Sequence, residues 1–133
     1  MSVQPQYLAF VLEQLEGLGT VSTRRMFGAV GLYRDELFFG LVDDDTLFFK
    51  TDPSNGAEYH ARNMPRFMAP ATGAQADKGY HQVPADIIED AEVLAVWARK
   101  AVAVARASQV QKRVKKPRAK KRAARPARRQ TRD

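Results

Sequence analysis

Residues 24–50 read R-R-M-F-G-A-V-G-L-Y-R-D-E-L-F-F-G-L-V-D-D-D-T-L-F-F-K, and no other stretch limits the fold as tightly. Short apolar runs broken by two turn signals, Arg34-Asp35 and Asp43-Asp44-Asp45, predict three strands joined as a meander by tight hairpins. A meander is a single layer, so the rest of the chain has to supply what packs on it.

The alternation along residues 37–42 sets Leu37, Phe39 and Leu41 on one face and Phe38, Gly40 and Val42 on the other. Neither face is polar, which predicts partial cover on both. In the returning strand Leu47 and Phe49 oppose Phe48 and Lys50, where cross-strand aromatic pairs contribute about 0.2 to 1 kcal/mol each. Residues 21–26 make a weaker strand whose charged side chains suit an edge. Gly28 and Gly31, in an otherwise apolar run, predict a bulge, a tight bend or a close backbone approach.

Helical patterns lie on either side. Tyr7, Leu8, Val11, Leu12, Leu15 and Leu18 follow the rhythm of one helix face, with Pro5 in the first turn and Gly17 and Gly19 at the end. Asp52-Pro53 predicts a helix with Asp as N-cap and Pro at the first helical position, running to about Arg62 and stopped by Asn63 and Pro65. Phe67 and Met68 suggest a short strand, residues 69–74 a loop of small residues, and residues 79–83 a last strand ended by Pro84. Asp86-Ile87-Ile88-Glu89 has the spacing of a capping box. The long helix expected after it carries an apolar stripe of Val93, Leu94, Trp97, Ala98, Ala101, Val102 and Ala105, with Trp97 as a core anchor. The fold class expected is α+β: a two-layer sandwich in which an antiparallel sheet of about five to six strands, the meander at its centre, is packed by the N-terminal and C-terminal helices.

Charge divides the chain into two parts. Residues 112–133 hold twelve Lys or Arg and one acid, a charge of +11, so with +7 over the whole chain residues 1–111 carry −4. The twelve cations are Lys112, Arg113, Lys115, Lys116, Arg118, Lys120, Lys121, Arg122, Arg125, Arg128, Arg129 and Arg132. Lys, Arg, Ala and Pro cannot bury enough apolar surface to offset the entropy of ordering, so residues 109–133 are expected as a disordered basic tail behind a domain of residues 1–108. The absence of cysteine from the sequence excludes a disulfide framework, a thiolate zinc site and a cysteine nucleophile. With no signal-like or membrane-length apolar segment, a soluble, cytoplasmic protein is expected, with association with the nucleoid as a variant.

Chemistry-bearing residues in the first 111 are sparse. A phosphate loop at the glycines would need a helix immediately after it, and Leu32-Tyr33 leads into a strand instead. Asp43-Asp44-Asp45 reads as an acidic hairpin tip rather than a cation site, whose ligands would have to converge from several directions. His60 and His81, the two histidines of the sequence, are conceivable as a metal or acid–base pair, but with no flanking ligand pattern they read as solvent-facing or hydrogen-bonded structural residues. No catalytic residue, metal site or cofactor is assigned.

The succession of a helix, R-R-M-F-G, G-L-Y, F-F-G-L-V, L-F-F-K-T-D, Tyr80 before V-P, then I-I-E-D and Trp97 resembles the TfoX N-terminal domain family over about residues 5–107. That resemblance implies a two-layer α/β domain with an antiparallel sheet. It also implies a part in bacterial competence regulation, where full-length members act as transcriptional coactivators alongside the cyclic-AMP receptor protein, and no enzymatic activity. Arg25, Met26, Phe27, Gly28 and Gly31 match the family's glycine-containing motif, and Lys50 and Asp52 its K-x-D step. Ala29 stands where a second glycine is usual. Full-length competence regulators carry a second, helical domain where this sequence has its basic segment.

The function expected is that of a non-enzymatic regulator associated with transcription. Its acidic domain contacts a protein partner, and its tail binds nucleic acid without sequence preference. An architectural nucleoid or RNA binder with a passive core is the alternative. An enzyme ranks third, since neither G-x-S-x-G nor H-E-x-x-H occurs.

Overall fold

The computed structural model describes residues 3–26, 28–67 and 79–120, with 111–120 described by their backbone alone. Ten elements follow one another: α1 (Pro5–Gln14), a 3-10 turn (Glu16–Leu18), β1 (Ser22–Met26), β2 (Ala29–Arg34), β3 (Leu37–Asp43), β4 (Thr46–Lys50), α2 (Gly56–Ala61), β5 (Tyr80–Gln82), α3 (Ala85–Ile88) and α4 (Ala91–Lys120). The strands form one antiparallel sheet in sequence order, β1 to β5. The fold is α+β, as the sequence predicts, with β1 at an edge and Ser22, Thr23, Arg24 and Arg25 exposed on it.

The β2–β3 and β3–β4 hairpins are two-residue turns. Asp35 and Glu36 have φ of +52° and +69°, and Asp44 and Asp45 have φ of +52° and +54°, the left-handed pair that matches the twist of flanking strands. The first turn is therefore Asp35-Glu36 and not Arg34-Asp35. Arg34 stays in β2 because its Nε donates to the Leu18 carbonyl at 2.9 Å, tying the strand to the end of the first helical segment.

The face alternation expected along β3 breaks at one bulge. Tyr33 pairs with Phe38 and Leu32 with Gly40, leaving Phe39 as the extra residue. Leu37, Phe39 and Val42 thereby join the helix-covered core, while Phe38 and Leu41 turn to the opposite face. Gly40 is required at the bulge, since a Cβ there would stand 2.6 Å from the Phe48 carbonyl oxygen and 2.9 Å from the Phe49 ring.

One face of the sheet, through Val30, Leu32, Phe39, Val42, Leu47 and Phe49, packs on Val11 of α1 and Leu15 at its C-terminal cap, Tyr59 of α2, Ile87 and Ile88 of α3, and Leu94, Trp97, Ala98 and Ala101 of α4. Trp97 lies edge-on to Tyr59 at 4.8 Å between centroids and is 6 % exposed, the core anchor its place in the stripe predicts. The opposite face carries Ala29, Leu41 and Tyr80 with half-buried Phe38, Phe48 and Phe67.

Two helix starts differ from expectation. Asp52 caps a turn instead of a helix: its Oδ1 accepts from the Ser54 amide at 2.7 Å, and α2 begins only at Gly56. At its far end Asn63, with φ of +57°, closes a Schellman cap in which the Met64 amide donates to the Tyr59 carbonyl and the Asn63 amide to that of His60. Asp86 does not start the long helix; it lies in α3 and pairs with Arg62 at 2.9 Å, while Asp90 Oδ1 accepts from the Val93 amide at 3.3 Å. The backbone of α4 is helical to Lys120. Lys, Arg, Ala and Gln ahead of Pro117 are good helix formers. Of the segment expected as strand and loop after Arg66, Phe67 donates its amide to the Tyr80 carbonyl, and Met68 with residues 69–74 lies outside the described residues.

Candidate functional site

The two parts of the family motif stand at opposite ends of the sheet. Arg25 and Met26 close β1, and Gly28, with φ of +84°, makes the turn into β2; Phe27 lies outside the described residues. Gly31 allows a close approach, since a Cβ there would meet the Met26 methyl at 2.7 Å and the Phe38 ring at 3.0 Å. These glycines serve the sheet. The turn after Gly28 continues into a strand, which removes the helix N-terminus a phosphate loop needs.

Lys50 and Asp52 sit at the other end, where β4 gives way to the turn before α2. The Lys50 ammonium lies 4.8 Å from the Tyr80 ring centroid and 3.3 Å from its hydroxyl. Burial first, and Tyr33 second, push the Tyr80 hydroxyl up to about 12, so it stays protonated at every physiological pH. Asn55 locks the crossing, its Nδ2 donating to the Lys50 carbonyl and its Oδ1 accepting from the Asp52 amide.

Between them Thr51 does what no sequence signal announced. Its hydroxyl lies 2.7 Å from Nδ1 of His81, which is buried on β5. The His60 ring stands edge-on to His81 at 5.3 Å, and the Tyr59 ring is tilted against His81 at 5.6 Å. The two histidines thus lie side by side, with His60 exposed and His81 hydrogen-bonded. Among the described residues, Lys50, Thr51, Asp52, His60, Arg66 and His81 line a cleft of about 790 Å³ whose far wall is Val104, Ala107 and Ser108 of α4. No three His, Asp or Glu side chains among the described residues converge as metal ligands.

Burial lowers the His81 pKa below the ordinary imidazole value of 6.5, and repulsion from His60 and Arg66 adds to it. The unfolded chain therefore takes up this proton before the folded one does. The stability contributed by neutral His81 is complete above about pH 6.5 and is lost as pH falls from there through the lowered folded value. The thermal midpoint is expected to fall on acidification from pH 7.5 to 5.5, and to fall less steeply in His81→Gln. Equal slopes in the two proteins would disprove it.

Of the twelve cations, Lys112, Arg113, Lys115, Lys116, Arg118 and Lys120 lie on the α4 backbone, while Lys121, Arg122, Arg125, Arg128, Arg129 and Arg132 lie outside the described residues. Among the residues whose side chains are described, 3–26, 28–67 and 79–110, the last buried one is Ala105. No described helix is long and apolar enough to cross a membrane.

The sequence model of the TfoX N-terminal domain matches residues 13–105. The chain belongs to the TfoX N-terminal domain family. The match runs from within α1 to the last buried turn of α4 and takes in the sheet, the Thr51–His81 contact and Trp97, so the family's domain is the α+β body itself. It stops before the cationic segment. No curated protein matches the chain.

Proposed function

We propose that this TfoX N-terminal domain protein is a non-enzymatic, competence-regulator-like adaptor of transcription. Its body engages a protein partner, and residues 112–133 hold nucleic acid without reading its sequence. One observation carries the reading: +11 is confined to the last residues of the chain while the body ahead of them carries −4. The body is then neutral or repulsive toward phosphate, and the cationic segment replaces the counterions condensed on it. That segment contains no aromatic residue, so base stacking adds nothing there. Family membership supports the regulatory role, and the charge distribution supports the nucleic-acid role.

Salt dependence tests it. With about six to eight phosphates contacted, log K for a mixed-sequence duplex should fall against log salt with a slope of roughly −5 to −7, at about −0.9 per phosphate. Two unrelated duplexes should give the same slope and the same affinity. A slope near zero, or strong preference for one sequence, would defeat the proposal.

A further inference from the structure

The two edges of the sheet are finished differently. Outside β5 the chain covers its own edge: Arg66 bridges His81, the Phe67 amide donates to the Tyr80 carbonyl at 2.9 Å, and the Gln82 amide donates to the Pro65 carbonyl at 2.9 Å. β1 pairs on one side only, with β2, in a regular register that runs from Ser22 opposite Tyr33 to Met26 opposite Ala29. In an antiparallel ladder every second residue turns its amide and carbonyl away from its partner, so the free side of β1 presents backbone donors and acceptors. No proline or bulge interrupts this strand, and Ser22, Thr23, Arg24 and Arg25 are all exposed.

The charge on this edge has one sign. β1 holds two arginines and no acid, in a body whose net charge is −4. The Arg24 guanidinium lies 4.7 Å from the Tyr33 ring centroid, a contact that leaves its charge in place, and among the described residues neither Arg24 nor Arg25 forms an ion pair. The two side chains belong to opposite faces, Arg24 across from Gly31 and Arg25 across from Val30 of the helix-covered core.

These charges decide between occupants. A second copy pairing antiparallel along the whole of β1 would set Arg24 opposite Arg24, and like charges directly opposite each other destabilise a sheet. A segment that carries carboxylates avoids that repulsion and gains a favourable cross-strand pair on each face.

We propose that β1 accepts an extended acidic segment of a partner protein as a sixth, antiparallel strand, with two consecutive carboxylate side chains set opposite Arg24 and Arg25. The ladder supplies the binding and the arginines select the partner. The inference rests on the reading that the body engages a protein partner, and it says where and by what chemistry.

The test uses the full chain and, as probe, an end-blocked peptide of about eight residues, Thr and Val around two consecutive central glutamates, followed by backbone amide NMR. Shifts should concentrate in β1 and β2, and β1 amides should gain protection from hydrogen exchange. The same peptide with lysines in place of the glutamates should bind at least about tenfold more weakly. Arg24→Gln and Arg25→Gln, both at exposed positions, should each weaken the glutamate peptide about threefold with the thermal midpoint unchanged. The double variant Arg24→Glu, Arg25→Glu should reverse the preference and take the lysine peptide.

Residues 112–133 also attract glutamates, but that attraction needs no ladder. N-methylation of alternate peptide amides should therefore abolish the β1 shifts in one of its two patterns and spare them in the other, the signature of a strand paired along one side. The proposal is overturned if the shifts fall outside β1 and β2, if both N-methylated peptides act as the parent peptide does, or if the charge-reversed protein still prefers glutamate. Strand addition to a body that holds no protein of its host would refute the partner reading and leave this one standing; a held protein with β1 unshifted by the peptide would do the reverse.

Discussion

Deletion of residues 112–133 is expected to reduce affinity for duplex DNA by at least about a hundredfold at physiological salt, to the limit of detection. The segment supplies +11, and what remains carries −4, so the deleted protein presents phosphate with a net repulsive body. Replacing Lys115, Lys116, Lys120, Lys121, Arg122, Arg125, Arg128 and Arg129 with glutamine should act the same way in proportion, flattening the salt slope for every sequence alike. Scrambling the order of the segment should change little, because counterion release depends on charge and not on register. The fold should be untouched: the apolar stripe of α4 ends at Ala105, the last buried residue among those whose side chains are described, and the thermal midpoint should move by no more than a degree or two. A truncated protein that still gripped one duplex tightly would place base recognition in the acidic body and end the electrostatic account.

Trp97→Ala should cost about 3 to 5 kcal/mol, the range for removing a large buried aromatic ring. Against a typical domain stability of about 5 to 15 kcal/mol, that is enough to leave the protein marginal at physiological temperature. The ring is 6 % exposed, lies edge-on to Tyr59 at 4.8 Å and has the Arg62 guanidinium 5.8 Å from its centroid. Its loss opens a cavity between α2 and α4, whose surfaces are also bridged by the exposed 3.0 Å ion pair of Glu58 with Lys100. Denaturant unfolding measures the cost, and tryptophan emission of the parent protein checks the premise. Emission at the wavelength of free indole, or a cost below about 1 kcal/mol, would mean the ring is not the anchor its packing describes.

Local patterns carried most of the architecture. The meander, the edge character of β1, the apolar stripe of α4 and the burial of Trp97 were all legible, because period and turn chemistry are properties of neighbouring residues. The errors have a common cause. Asp52-Pro53 and Asp86 look like helix caps in isolation, and each side chain was taken by another bond, to Ser54 in one case and to Arg62 in the other. The alternation along β3 failed at Phe39 because a single extra residue exchanges the two faces, and a bulge is decided by what the neighbouring strands can pack.

The candidate cleft was the least legible feature. His60 and His81 are unremarkable in the chain, and nothing near either one names the other. The sequence by itself determined the two-layer class, the strand order of the meander and the separation of an acidic body from a cationic end, since each depends on periodicity, turn residues or a sum of charges. Only the tertiary structure decided that Thr51, His60, Arg66 and His81 share one wall. Their meeting depends on β5 returning antiparallel beside β4 while α2 folds over the same end of the sheet, and those are long-range packing choices that no local pattern encodes.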